Sequence, residues 1–446
     1  MRKRYFNTLL AGAGLLAFLT SCGDKATEPQ RPEIVVDLLE RLNGLASVTA
    51  VEITPQNNYA EREFQLDITQ PLDHNNPGGP VFTQRVYLSH VSENAPVVFY
   101  TGGYKANPTT IQELAPLLQA NHVFTTHRFF EDAEPDPMDW TCLTVAQAAA
   151  DQHHVVEVLK QIYQGVWVST GRSKSGKTAL FHRRFYPDDV AATVAYVAPI
   201  PQGHPDPRYM EWLEAMGTED CRQRMKAYQR AVLRKSDSLN ALLGDWFTYD
   251  GQTLSIDTNL VLEWLVTEYR FTFWGELPAD CGTVPDSTAS AHDLFGHLVA
   301  TCWHAFMYGD TWREYYYPWH YLAFTETGGF YQDADHLRDF LTSVTPENLE
   351  DSLLCPPGVD LTFRAETLED VYQWLKTEGN NIIYIYGGND YVTAAAMDPD
   401  PTTNALVVIQ PGGDHGVRLP DLDQRELVLA TLEQWIGIEL TGDGQR

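Results

Sequence analysis

The sequence predicts an α/β protein: a doubly wound, mostly parallel sheet with a large, mainly helical cap inserted late in the chain. Three observations carry this. Continuously apolar runs such as Val97-Val98-Phe99-Tyr100 and Ile382-Ile383-Tyr384-Ile385-Tyr386 suit strands covered on both faces. Between such runs lie segments with helical spacing of their apolar residues, the alternation that builds parallel sheets. Residues 200–360 hold long helical patterns and no clear buried strand.

Composition bounds the function classes first. The 446 residues are 43% hydrophobic, enough for a large core and incompatible with a disordered, collagenous or coiled-coil chain. Acidic residues outnumber basic ones by 60 to 31, a formal charge of −29 that repels phosphate backbones and argues against nucleic acid as a partner.

Residues 1–21 read as an export signal: Arg2-Lys3-Arg4, an apolar run from Leu9 to Leu19 too short to span a bilayer, then Leu19-Thr20-Ser21-Cys22. The ending resembles the lipobox of bacterial lipoproteins, in which the cysteine, here Cys22, becomes the lipidated first residue. The stretch Gly23–Glu33 is polar and carries Pro29 and Pro32, as a tether does, so residues 22–35 are expected to be a lipidated N-terminus and linker. The expected location is the cell envelope, facing the periplasm or on the cell surface, with the membrane held through the lipid. Five further cysteines, at 142, 221, 281, 302 and 355, allow up to two disulfides in an oxidising compartment, with pairings open. Their spacing matches no zinc pattern, and no metal or cofactor is expected.

The first part of the core is expected over residues 36–199. Phe64–Ile68 and Val86–Leu88 alternate like half-buried strands, whereas Val97–Tyr100 and Val166–Val168 are apolar throughout. A helix is expected over Val145–Tyr163. The cap, residues 200–360, contains helical patterns at Arg208–Arg234 and Thr258–Arg270 and an aromatic cluster between Trp303 and Tyr321. The core resumes over residues 361–446 with the apolar runs Ile382–Tyr386 and Leu406–Ile409, read as central strands.

Chemistry concentrates at Gly171-Arg172-Ser173-Lys174-Ser175-Gly176-Lys177-Thr178, which follows a strand and opens a helix. The pattern fits a phosphate-cradling P-loop, with Lys177 on the phosphates and Thr178 on magnesium. It also fits a nucleophile elbow centred on Ser173, although Gly stands at 176 where the elbow wants it at 175. An exported protein meets little ATP, and no apolar run ends directly in the acidic residue that magnesium would need. A hydrolase instead needs an acid and then a histidine, each just after a late strand. Asp390 follows Ile382–Tyr386, and His415 follows Leu406–Ile409.

The elbow reading therefore prevails. Ser173 is the nucleophile, His415 its base and Asp390 the acid that orients the base. The backbone N–H of Lys174 and one from Gly102-Gly103-Tyr104 would hold the oxyanion. Asp414 and Ser175 are the second choices for acid and nucleophile.

From Ser173 to Asp390 the chain spends far more residues than two strands and two helices need, and the excess is the cap. A capped site admits small molecules or chain ends in preference to folded protein, as an exopeptidase requires. Nine aromatics in the nineteen residues from Trp303 to Tyr321 offer a wall for proline or another apolar group. A carboxylate must receive a substrate's free ammonium, for which Glu131 in an acidic loop and Glu268 in the cap are candidates. Trp274 and Trp303 complete the candidate substrate site.

Several segments together resemble a known family. They are Gln70-Pro71-Leu72-Asp73-His74, Phe82–Val86, Tyr100–Tyr104, His127-Arg128-Phe129-Phe130, Gly171–Gly176 with Tyr186–Val190, and Ala195–Pro199. This ordered set is similar to the secreted bacterial prolyl tri- and tetrapeptidyl aminopeptidases, serine peptidases related to lysosomal prolyl carboxypeptidase. The resemblance is dense over residues 65–200 and again at 380–416, and faint in the cap, where Tyr269–Trp274 is the best segment. It implies an α/β-hydrolase fold with a helical cap, release of short peptides ending in proline from free N-termini, and the triad roles for Ser173, Asp390 and His415. Two departures stand out: Ser175 replaces the usual glycine, and Glu131 to Glu134 stand where relatives tend to have a serine. An esterase with the same triad and a non-catalytic binding lipoprotein are the competing expectations.

Overall fold

The structure is a computed structural model that describes residues 36–275, 280–329, 333–345 and 352–440. The expected leader, Cys22 and most of the tether lie outside the described residues.

From Leu38 onward the architecture is a nine-stranded sheet in the order β1-β2-β3-β5-β4-β6-β7-β8-β9. The strands are β1 (Val48–Ile53), β2 (Arg62–Pro71), β3 (Val81–His90), β4 (Val97–Tyr100), β5 (Asn121–Thr125), β6 (Trp167–Arg172), β7 (Ala192–Tyr196), β8 (Ile382–Gly387) and β9 (Ala405–Gln410). The first three pair antiparallel with one another, and β3 pairs antiparallel with β5. From β5 to β9 every pairing is parallel.

Six of these strands coincide with the strand patterns read from the sequence, two alternating and four apolar throughout; β1, β5 and β7 do not. The last two are buried along their whole length yet carry polar residues whose groups are satisfied internally. Asn121 accepts from the N–H groups of Val91 and Ser92, and the Thr193 hydroxyl shares a 2.8 Å hydrogen bond with Ser169. Such polar residues break the apolar signal while costing nothing, because each finds a partner. One expectation is corrected: Leu406–Ile409 is not a central strand. It forms β9 at the edge, where Ile409 remains 43% exposed.

Helices cover both faces. Before the cap come α1 (Leu38–Asn43), α2 (Leu114–Leu118), α3 (Val145–Leu159) and α4 (Lys174–Phe185). The Thr144 hydroxyl caps α3 by accepting from the Gln147 N–H. The cap itself holds α5 (Arg208–Ala215), α6 (Glu219–Arg234), α7 (Ser236–Tyr249), α8 (Thr258–Gly275), α9 (Ala291–Thr301) and α10 (Asp310–Leu322). Beyond it lie α11 (Ala365–Thr377) and α12 (Arg425–Ile436). On one face α3 packs through Val155, Val156 and Leu159 against Val97 and Phe99. On the same face α4 and α11 pack through Leu180, Val371 and Leu375 against Ile382 and Tyr384. On the other face α2 and α12 bury Leu114, Val428 and Leu432 against Val98, Val194 and Ile385. This is the α/β-hydrolase fold the sequence implies.

The cap has its own core, centred on Trp264, Leu265 and Tyr269 of α8 and Met225 and Tyr228 of α6. The Arg208–Arg234 pattern is two helices, since Gly217 takes a positive φ of 63° between them and Thr218 caps the second. A disulfide joins Cys221 to Cys281, while among the described residues Cys142 and Cys302 are free thiols. Among the described residues no helix is long and apolar enough to cross a membrane.

Candidate active site

Ser173 sits between β6 and α4 with φ 55° and ψ −122°, backbone angles that L residues avoid. Its surroundings impose them. Its N–H donates to Tyr196 O at 2.9 Å, and its carbonyl accepts from the Lys177 N–H at 2.9 Å. The turn is so tight that a Cβ at Gly171 would lie 2.0 Å from Ser175 O, and one at Gly176 would lie 2.7 Å from the Ala198 methyl. The second glycine is therefore required at 176, because that is where α4 crosses the end of β7.

The loops after β8 and β9 bring Asp390 and His415 together. Fully buried Asp390 accepts from the Val392 N–H through Oδ1 and pairs through Oδ2 with His415 Nδ1 at 2.7 Å. A histidine that donates from Nδ1 to a carboxylate keeps its lone pair on Nε2, ready to accept a proton. The His415 backbone is fixed from two directions. Its N–H donates to Gly275 O at 2.9 Å, at the end of the cap helix α8. Its carbonyl accepts from the Arg172 guanidinium, through Nε at 3.0 Å and through Nη2. Arg172 immediately precedes Ser173, so the serine and histidine loops are tied by a side chain adjacent to the nucleophile. Sequence reading passed over Arg172 and Gly275, whose partners lie far away in the chain.

The predicted oxyanion donors divide into two groups. The Gly102 N–H is taken by the Thr125 hydroxyl and the Gly103 N–H by Ser175 Oγ at 2.9 Å. Among the described residues the N–H groups of Lys174 and Tyr104 have no such partner. Lys174 also acts through its side chain, donating from Nζ to Gly103 O at 2.5 Å beneath the rings of Tyr104 and Phe130. The Gly103 carbonyl and the Tyr104 N–H belong to one trans peptide and point in opposite directions. The Lys174 amine thus fixes the orientation of the peptide that carries the Tyr104 N–H. Burial, reinforced by nearby Lys177, holds the Lys174 amine well below the usual lysine range.

The second choices find other employment. Ser175 is buried with its hydroxyl on the Gly103 amide, so its departure from glycine braces the oxyanion loop. Asp414 accepts from the Gly416 N–H at 2.7 Å, while the carboxylate on His415 Nδ1 belongs to Asp390. The P-loop reading has no support in the side chains. Lys177 Nζ donates to Thr327 O in the cap at 3.2 Å, and the buried Thr178 hydroxyl donates to Ser175 O at 2.7 Å.

Of the expected substrate-binding residues, Trp274 is a correction. It is buried in the cap core against Phe273, beside Gly217. Glu131 is exposed and paired with Lys105 at 3.0 Å. Glu268 accepts from His304 Nε2 at 2.6 Å, and the ring of Trp303, the neighbour of His304, lies 6.1 Å from that imidazole.

Comparison with known proteins gives three findings. The PS-10 peptidase S37 family profile matches residues 30–442. A curated prolyl tri/tetrapeptidyl aminopeptidase of Streptomyces mobaraensis is 31% identical, over 98% of this chain and 92% of the relative. Solved structures with similarity include a proline iminopeptidase of Mycobacterium smegmatis, at 13% identity and TM-score 0.39 over 83% of this chain and 98% of that one. Epoxide hydrolase A from Mycobacterium thermoresistibile is at 13% identity and TM-score 0.37, over 84% and 100%.

Proposed function

The chain belongs to the PS-10 peptidase S37 family, and from that premise we propose that it is an exported, lipid-anchored serine exopeptidase. It releases short peptides of three or four residues from free N-termini, with proline at the cleaved bond. The substrate preference follows the curated relative and the aromatic wall of the cap. Export and anchoring follow Arg2-Lys3-Arg4, the apolar run and Cys22. The observation that carries the chemistry is the 2.7 Å pair of His415 and buried Asp390, tied through Arg172 to a serine on a strained elbow.

In this reading His415 Nε2 takes the Ser173 Oγ proton as the oxygen attacks the scissile carbonyl carbon. The carbonyl electron pair moves onto oxygen, held by the N–H groups of Lys174 and Tyr104. Collapse breaks the C–N bond, and the departing amine takes the proton from Nε2. Water, activated by the same imidazole, then cleaves the acyl-serine ester and restores the hydroxyl.

Product mapping on peptides with free and acetylated N-termini tests the reading, with Ser173→Ala as control. Tri- and tetrapeptides from free termini alone, and none from the variant, are expected. Internal fragments, equal cleavage of acetylated peptides, or an active Ser173→Ala protein would contradict it.

A further inference from the structure

Helix α8 is buried from Val261 to Gly275 at every position but one. The exception is Glu268, whose side chain keeps 22% of its surface. A half-buried carboxylate on an otherwise enclosed helix marks where that helix borders an opening. Its hydrogen bonds come from His304 Nε2 at 2.6 Å and the Tyr308 hydroxyl at 3.1 Å. Among the described residues no lysine or arginine pairs with it, whereas Glu326 has Arg364, Asp333 has Arg270 and Asp206 has Arg208. A carboxylate partnered by an imidazole and a phenol, with no lysine or arginine on it, keeps room to accept from a substrate ammonium.

Two independent features lead from Glu268 to the nucleophile. The first is α8 itself, whose last carbonyl, on Gly275, accepts from the His415 N–H and whose end lies beside Asp390. Seven residues separate Glu268 from Gly275, so both face the same side of the helix, two turns or about 10 Å apart. The second is a row of rings. It starts at Trp303, 46% exposed and next to His304, and continues through Phe306 and Trp312 to Tyr316, each ring 5.2 to 6.3 Å from the next. Tyr316 meets Tyr104, on the loop that offers the oxyanion donor, at 5.7 Å. Both features thus run from the neighbourhood of Glu268 to residues that flank the elbow.

An extended peptide advances about 3.3 Å per residue, so three residues reach about 10 Å from the terminal nitrogen to the scissile carbonyl. We propose that Glu268 receives the α-ammonium of the peptide substrate and that the two turns of α8 between it and the histidine loop set the released product at three residues of extended chain. His304 and Tyr308 orient the carboxylate, and the fourth residue of a longer product has to be taken up by bending along the aromatic row. The proposal rests on the exopeptidase reading above.

The test uses the purified full chain, with tripeptidyl-proline anilides bearing free and acetylated N-termini. For Glu268→Gln, KM for the free substrate rises by about 30- to 100-fold with kcat changed by less than about threefold, since a desolvated ion pair is lost from binding alone. The preference for free over acetylated substrate disappears, and labelling of Ser173 by a fluorophosphonate proceeds at the parental rate. Glu268→Asp, which keeps the charge but retracts it, retains the free-terminus requirement and shifts products from tri- toward tetrapeptides. An unchanged KM and preserved discrimination in Glu268→Gln overturn the proposal, as does an unaltered product length in Glu268→Asp. Should either variant fail to fold, the parental protein bound to a tripeptide product decides: the ammonium lies against Glu268, or it lies elsewhere and the proposal fails. An active Ser173→Ala protein would instead reject the exopeptidase reading, whatever Glu268 does.

Discussion

At the scale of single residues, Lys174 contributes twice to the same few ångströms. Its backbone N–H has no partner among the described residues, and its amine donates to the Gly103 carbonyl, on the peptide that carries the unpartnered Tyr104 N–H. Lys174→Met keeps the first donor and releases the peptide that carries the second. We expect kcat to fall by about 10- to 100-fold, less than outright loss of an oxyanion donor costs, with KM little changed. A peptidyl boronate, which mimics the tetrahedral adduct, should weaken by the same factor. Parental kcat and boronate affinity in this variant would show that the Gly103 peptide is held without the amine. Residue positions are legible where loop position and chain order constrain them: Ser173, Asp390 and His415 each follow a strand, and the last two pair. Trp274 was misjudged because an aromatic residue beside a candidate site carries no mark of which way it faces.

At the scale of elements, the β6–α4 junction explains why glycine stands at 176. A methyl there would press on the Ala198 methyl and on Tyr196 O, both at the end of β7. Gly176→Ala should therefore lower stability by about 1–3 kcal/mol, since neither neighbour can withdraw. It should also slow labelling of Ser173, because the same contact sets the elbow; urea denaturation and labelling kinetics report the two effects. Strands were legible when apolar throughout, as in β4 and β8. They were hidden when a polar residue was satisfied inside the sheet, as Asn121 is in β5 and Thr193 in β7. Periodicity predicts a helix over Thr258–Arg270, yet α8 continues to Gly275, whose carbonyl meets His415. That extension depends on tertiary packing, which periodicity does not encode.

At the scale of the whole molecule, core and cap are joined at the site. Gly275 binds the histidine loop, Tyr316 meets Tyr104, and Lys177 reaches from α4 to Thr327. Burial pushes the Lys177 amine down to about 7 in the folded protein. The unfolded chain keeps its proton up to the ordinary lysine value, so between about pH 7 and pH 10 the unfolded state binds more protons and stability rises with pH. Below about pH 7 both states are protonated and the full cost of burying the charge is present. Lys177→Met should flatten this slope and stabilise the protein most at its acidic end, as urea midpoints at several pH values would show. An unchanged slope would mean that the amine keeps its charge when folded.

The account depends above all on the reactivity of one hydroxyl, and mass-spectrometric mapping of a fluorophosphonate adduct measures it directly. A single adduct on Ser173, lost when His415 is replaced by alanine, is the predicted result. An unmodified protein, or a label on Ser175 that persists without His415, would contradict it.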